Sequence, residues 1–76
     1  EYEVIEAEIL ESSELINKEL KNADLPDEIR VGAILRDNKF ILPSSKYIFQ
    51  KEDTVVLLAK RDQLPLVENL FRISSV

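Results

Sequence analysis

A chain of 76 residues that holds neither a cysteine nor a histidine has to close its core with apolar side chains alone. Domains of this size bury a small share of their unfolded surface and stand near the lower limit for independent stability. Disulfides or a bound metal commonly supply what is missing. Here no thiol can pair, and the commonest transition-metal ligand and general base is absent. The length allows one domain with no second core, so a partner subunit is the expected source of extra stability.

The rest of the composition narrows the function classes. Hydrophobic residues make up 45% of the chain and charged residues 33%, the balance of a globular domain. A formal charge of −5 opposes nucleic-acid binding, which depends on cationic neutralisation of phosphates, and opposes contact with anionic lipid. The longest apolar run, 55–59, is too short to span a bilayer, so no direct membrane insertion is expected. The first residues are charged and alternating, unlike a secretory signal. No methionine occurs anywhere, so the chain is expected to be a segment of a longer protein.

Hydrophobic periodicity gives the expected elements. Over 2–10, Ile5, Ala7 and Ile9 alternate with Glu6 and Glu8, which reads as a strand with one buried and one wet face. Over 14–23, Ile16, Leu20 and Ala23 recur at helical spacing behind Ser12 and Ser13 as capping residues, and Pro26 follows. This predicts a short amphipathic helix. Alternation returns over Ile29–Arg36, with Ile29, Val31, Ala33 and Leu35 on one face. Asp37-Asn38 then makes a tight hairpin with a strand over 39–42, closed by Pro43. The run 54–59 is apolar after its first residue and β-branched at its start, which predicts a central strand covered on both faces. Asp62 is the expected cap of a last helix, with Pro65 in its first turn and Leu66, Val67, Leu70 and Phe71 as its stripe. Arg72 is placed near the end of that helix, where a cation suits the dipole. The order is β-α-β-β-β-α, an α+β fold with a partly closed mixed or antiparallel sheet and two packed helices.

Few constellations here carry chemistry. Six serines have no histidine to activate them, and caps, turns and a loose terminus at Ser74 and Ser75 account for them. Glu6 with Glu8, and Asp24, Asp27 and Glu28 around Pro26, read as a solvated face and a polar turn, with weak cation binding as the competing reading. With Gly32 as the single glycine, no phosphate-cradling loop exists, so NAD and ATP are not expected to bind this segment. Gly32 lies mid-strand, which marks either a bulge or a close approach by another backbone or a ligand. Alternation places Arg30 and Arg36 on the same face as Gly32 and Ile34. They read either as solvated charges or as two guanidiniums holding an anionic nucleotide. Ile41 and Pro43, returning on the next strand, offer an apolar wall. Arg30, Gly32, Arg36, Ile41 and Pro43 are therefore the candidate ligand-binding residues. Tyr47 and Phe49 read as packing groups.

Leu25-Pro26, the run Val31-Gly32-Ala33-Ile34-Leu35-Arg36, Ile41-Leu42-Pro43 and the stretch 53–59 follow one another in an order found elsewhere. Together they resemble the C-terminal domain of the TrkA-type potassium-uptake regulators, the RCK C-terminal family. The resemblance covers nearly all of 1–76. Three positions depart from its pattern: Glu52 stands for the glycine before Asp53, Arg36-Asp37-Asn38-Lys39 lacks the hairpin glycine, and Asn17-Lys18 replaces a Gly-Lys pair. The departures bear on turn geometry.

The resemblance implies a cytoplasmic, non-catalytic regulatory domain of a cation-transport system, reaching the inner face of the membrane through a transporter subunit. It implies a homodimer, a Rossmann-type nucleotide-binding domain in the parent chain, and in some members a ligand such as cyclic di-AMP at the dimer interface. A purely structural dimerisation module, with ligand sensed elsewhere in the parent, is the alternative. An enzyme stands third, because the sequence supplies no catalytic set.

Overall fold

In a computed structural model, which describes residues 2–73, five strands form a single sheet in the order β3-β2-β4-β1-β5, with every named pair antiparallel. The strands are β1 (Tyr2–Ile9), β2 (Ile29–Arg36), β3 (Lys39–Ile41), β4 (Thr54–Lys60) and β5 (Phe71–Ile73). The expected α+β architecture holds. Glu1, Ser74 and Ser75 lie outside the described residues.

β4, the most apolar strand, is the middle one, hydrogen-bonded to β2 along one edge and to β1 along the other. Its alternate residues Val55, Leu57 and Ala59 point into the core with Ile5, Ala7 and Ile9 of β1. Leu57 lies between Ile5 on one side and Val31 on the other. Leu15, Phe49, Val67 and Phe71 close the same face of the sheet. The opposite face of β4 is not covered: Leu58 is exposed, as is its neighbour Val4. The expectation of cover on both faces is met on one face only within this chain.

Three expectations about helices are corrected. The segment 14–23 is not an α-helix: it is a chain of turns ending in a 3-10 turn at Leu20–Asn22. Asn17 takes a left-handed φ of 71°, which stops any helix there. The chain then runs antiparallel to 45–49, with Asn17 N donating to Phe49 O at 2.8 Å and Phe49 N to Lys18 O at 3.0 Å. Leu20 N to Tyr47 O and Lys21 N to Ser45 O continue the pairing. Ser13 is a local turn former: it is buried, and its Oγ accepts from Leu15 N at 3.1 Å.

The last helix, α1, is Leu64–Leu70, entered from a 3-10 turn at Arg61–Gln63 that contains Asp62. Its N-cap is Gln63, and no side chain caps it. Phe71 leaves the helix with φ −135° and pairs with Ile9 as part of β5, so Phe71 and Arg72 are strand residues. In this strand position Phe71 is almost fully buried.

The hairpin between β2 and β3 forms as expected, with Asp37 and Asn38 both at positive φ, the geometry a two-residue turn between twisted strands requires. The departures from the family pattern fall at such positions: Asn17, Asp37, Asn38 and Glu52 all have positive φ. Asn and Asp tolerate this region, whereas at Glu52 the left-handed geometry is kept at a cost in strain.

Candidate functional site

The pairing of β2 with β4 shifts by one residue between Val31 and Ala33, so Gly32 is the extra residue of a β-bulge. Before the bulge Ile29 and Val31 face the core; after it Ile34 and Arg36 do. Arg30 lies opposite Leu58 on the outer face, as Ala33 lies opposite Val56. Strict alternation had put Arg30 and Arg36 together, and the bulge separates them onto opposite faces. Gly32 does not have positive φ, and a Cβ there would stand 3.5 Å from Val56 O, an ordinary contact. Within this chain the bulge tolerates glycine without demanding it.

Arg36 is committed to its own domain. Its Nε donates to Asp53 Oδ1 at 2.9 Å and its Nη2 to Asp53 Oδ2 at 3.2 Å, a two-pronged pair. Nη2 also donates to the Tyr47 hydroxyl oxygen and to Ile48 O. Tyr47 in turn donates its hydroxyl proton to Asp53 Oδ2 at 2.6 Å, and Gln50 N adds a fourth donor at 2.9 Å. Asp53 is only 1% exposed. Burial alone would raise its carboxyl pKa, but the bonds from Arg36, Tyr47 and the Gln50 amide outweigh it and hold it below the usual carboxylate range. Burial and the bond to Asp53 push the Tyr47 phenol well up, and the Asp53 bond raises Arg36 further. The Arg36 guanidinium also lies 5.0 Å from the Tyr47 ring centre, and Tyr47 packs edge-on against buried Phe49 at 5.8 Å. Packing is the role the sequence suggested for both aromatics.

A groove of about 640 Å³ opens where β2 meets the turns on either side of the 3-10 segment. Leu20, Leu25, Ile29, Val31 and Pro43 give it apolar walls, and Lys21, Asp24, Arg30, Ser44 and Ser45 give it polar ones. Its size falls in the range of small-molecule sites. Arg30 makes no ion pair among the described residues, while Lys21 is held loosely by Glu19 at 3.8 Å. Of the five candidate residues, Arg30 and Pro43 line this groove. Gly32, Arg36 and Ile41 do not. Lys21, Ser44 and Ser45 went unrecognised, because only the pairing of 17–21 with 45–49 brings them to one place.

The outer sheet face is the second surface of note. Val4, Leu58 and Arg30 form one cross-strand row; Glu6, Val56 and Ala33 the next; Glu8, Thr54, Leu35 and Phe40 the third. On or beside this face Val4 is 70% exposed, Phe40 76% and Leu42 83%, and Glu6, Glu8 and Arg30 share it. No group of three or more potential metal ligands occurs among the described residues. No helix among them is long and apolar enough to cross a membrane.

The family model of the TrkA-C domain matches residues 4–72, which reach into all five strands of the sheet. The chain belongs to the TrkA-C domain family. It is 42% identical over 72 residues to the Trk system potassium uptake protein TrkA of Azorhizobium caulinodans. It is 31% identical over 64 residues to a TrkA homolog of Archaeoglobus fulgidus, and 31% over 71 residues to the K(+)/H(+) antiporter NhaP2 of Shewanella oneidensis. These matches cover 95%, 84% and 93% of the chain but only 16%, 15% and 12% of the relatives. A solved RCK domain described as "with cda" superposes with a TM-score of 0.75 over 91% of the chain and 97% of its own length, at 18% identity, which shows a shared fold.

Proposed function

We propose that this TrkA-C domain is a non-catalytic, dimerising sensor within a potassium-transport system. The observation that carries the reading is the uncovered side of β4: a central strand with apolar residues on both faces, only one of which the chain itself covers. A second copy laid on Val4, Val56, Leu58, Ala33 and Leu35 supplies the missing layer, as sheet-on-sheet packing does. The relatives named TrkA belong to potassium uptake, and the shared domain supports the same setting here. In that setting the domain is cytoplasmic, follows a Rossmann-type domain in its parent, and reaches the membrane through a transport subunit.

The ligand reading rests on the groove. Arg30 provides an unpaired cation, Ser44 and Ser45 hydroxyl donors, and Pro43 with Leu25 an apolar wall, a set suited to an anionic nucleotide such as cyclic di-AMP. Ile41 extends the apolar surface of the hairpin. The structural neighbour solved "with cda" is in keeping with a ligand-binding role. The competing reading, a structural dimerisation module, draws support from the net charge of −5, which disfavours anions.

A thermal-shift comparison separates the two. Cyclic di-AMP at 100 times its Kd stabilises a binding domain by about 2.7 kcal/mol, roughly 10 °C or more at this size. NAD and ATP are expected to give no shift. No shift with cyclic di-AMP at millimolar concentration removes the ligand and leaves the structural module.

A further inference from the structure

Resting on the groove as the ligand site, we propose that Arg36 is a positioning residue for that groove, acting through Tyr47 and Asp53 without touching what the groove holds. Two walls of the groove hang from one strip of chain. Residues 43–45 supply Pro43, Ser44 and Ser45 directly. Further along the strip, Leu20 N donates to Tyr47 O at 2.7 Å and Lys21 N to Ser45 O at 2.9 Å, which fixes the two residues that form the facing wall. The strip is held by the buried Phe49 ring and by backbone pairing with 17–21, while Ser44, Ser45, Lys46 and Ile48 are exposed and 42–53 contains no strand or helix. Its polar anchor is Arg36, which grips the Tyr47 hydroxyl and Ile48 O while Asp53 fixes the guanidinium from the other side.

Arg36 thus stands at the end of β2, on the face away from Arg30, and sets the course of both groove walls. The division of labour is specific. Arg30, lining the groove and in no ion pair among the described residues, is the contact cation; Arg36, neutralised by Asp53, contributes geometry and almost no field. A neutral ion pair has little attraction for an anion, whereas a planar five-donor group can hold a loop at several points at once.

The test uses amide exchange and binding on the whole 76-residue chain. Arg36→Ala strands the buried Asp53 and is prone to unfold, so the deciding variant is Tyr47→Phe, which keeps the ring and removes the hydroxyl link. Exchange at the Leu20 and Lys21 amides is expected to quicken roughly five- to tenfold, the effect of losing a hydrogen bond in the strip, while β1 and β4 amides stay at wild-type rates. Cyclic di-AMP, used as the probe, is expected to bind Tyr47→Phe several-fold more weakly than wild type. Arg30→Ala is expected to weaken the probe with exchange at Leu20 and Lys21 unchanged. Unchanged exchange at those amides in Tyr47→Phe, or a uniform rise over the whole chain, overturns the positioning role. Failure of wild type to bind the probe removes the ligand reading of the groove, and the exchange comparison alone then supports or overturns the part played by Arg36.

Discussion

Leu57→Ala is the sharpest probe of how this small domain holds itself together. Leu57 is fully buried at the middle of the central strand, paired across to Ile5 of β1 and Val31 of β2. The substitution removes three carbons from the core, about 2.4 kcal/mol of transfer free energy at ~0.8 kcal/mol per group. Both flanking strands are hydrogen-bonded to β4, so the backbone cannot collapse into the gap, and the cavity brings the loss into the range of ~2.7–5 kcal/mol. A domain of this length has a total stability of roughly 4–11 kcal/mol, so the variant forfeits a large share of it. Urea unfolding followed by far-ultraviolet circular dichroism, with m held common, reads the loss directly. A measured loss below about 1 kcal/mol would refute the placement of Leu57 in a packed, two-sided strand environment.

Three further outcomes follow from the geometry. The folded-state pKa of Asp53 lies below its unfolded value, so its contribution is present in full above about pH 4 and fades as pH falls through the folded value. The acid limb of the urea midpoint against pH is therefore expected to be shallower in Asp53→Asn than in wild type, and equal slopes would count against it. Tyr47 has the opposite sign: its pKa is raised on folding, so its contribution is complete below about pH 10 and is lost as pH rises further. Tyr47→Phe is expected to lose part of the wild-type alkaline sensitivity, read by the same midpoints. Glu52 sits at φ 72°, and Glu52→Gly is expected to raise stability by about 0.5–1 kcal/mol, relief of left-handed strain less the entropy gained by the unfolded chain. A thermal midpoint unchanged or lowered in that variant would show the turn to be unstrained.

The strands were legible because each carries its own pattern. Ile5, Ala7 and Ile9 alternate cleanly, Asp37-Asn38 marks its turn, and the run from Val55 stands out as the richest apolar segment. What failed was anything decided by distant partners. The spacing of Ile16, Leu20 and Ala23 suits a helix, yet pairing with 45–49 claims those backbone groups and Asn17 breaks the turn. Phe71 fits the stripe of α1 equally well, and only the free edge of β1 draws it into β5. The same holds for the site. Of the residues read as ligand-binding, Arg30 and Pro43 line one groove, but a one-residue bulge at Gly32 moved Arg36 to the other side of the sheet. The partners of Arg36, Tyr47 and Asp53, lie 11 and 17 residues away and meet it only after folding. The one local hint was an aspartate directly before the most apolar strand, a place where a buried carboxylate requires a cation.

Sedimentation equilibrium on wild type and Leu58→Lys tests most directly whether the outer face of β4 is a subunit interface. Leu58 is 38% exposed and points away from the core, so lysine there leaves the subunit fold intact. At micromolar concentration wild type is expected at twice the subunit mass of 8.8 kDa, and Leu58→Lys at 8.8 kDa with an unchanged circular dichroism spectrum. A wild type that sediments as a monomer, or a Leu58→Lys variant that remains dimeric, would contradict a second copy on that face.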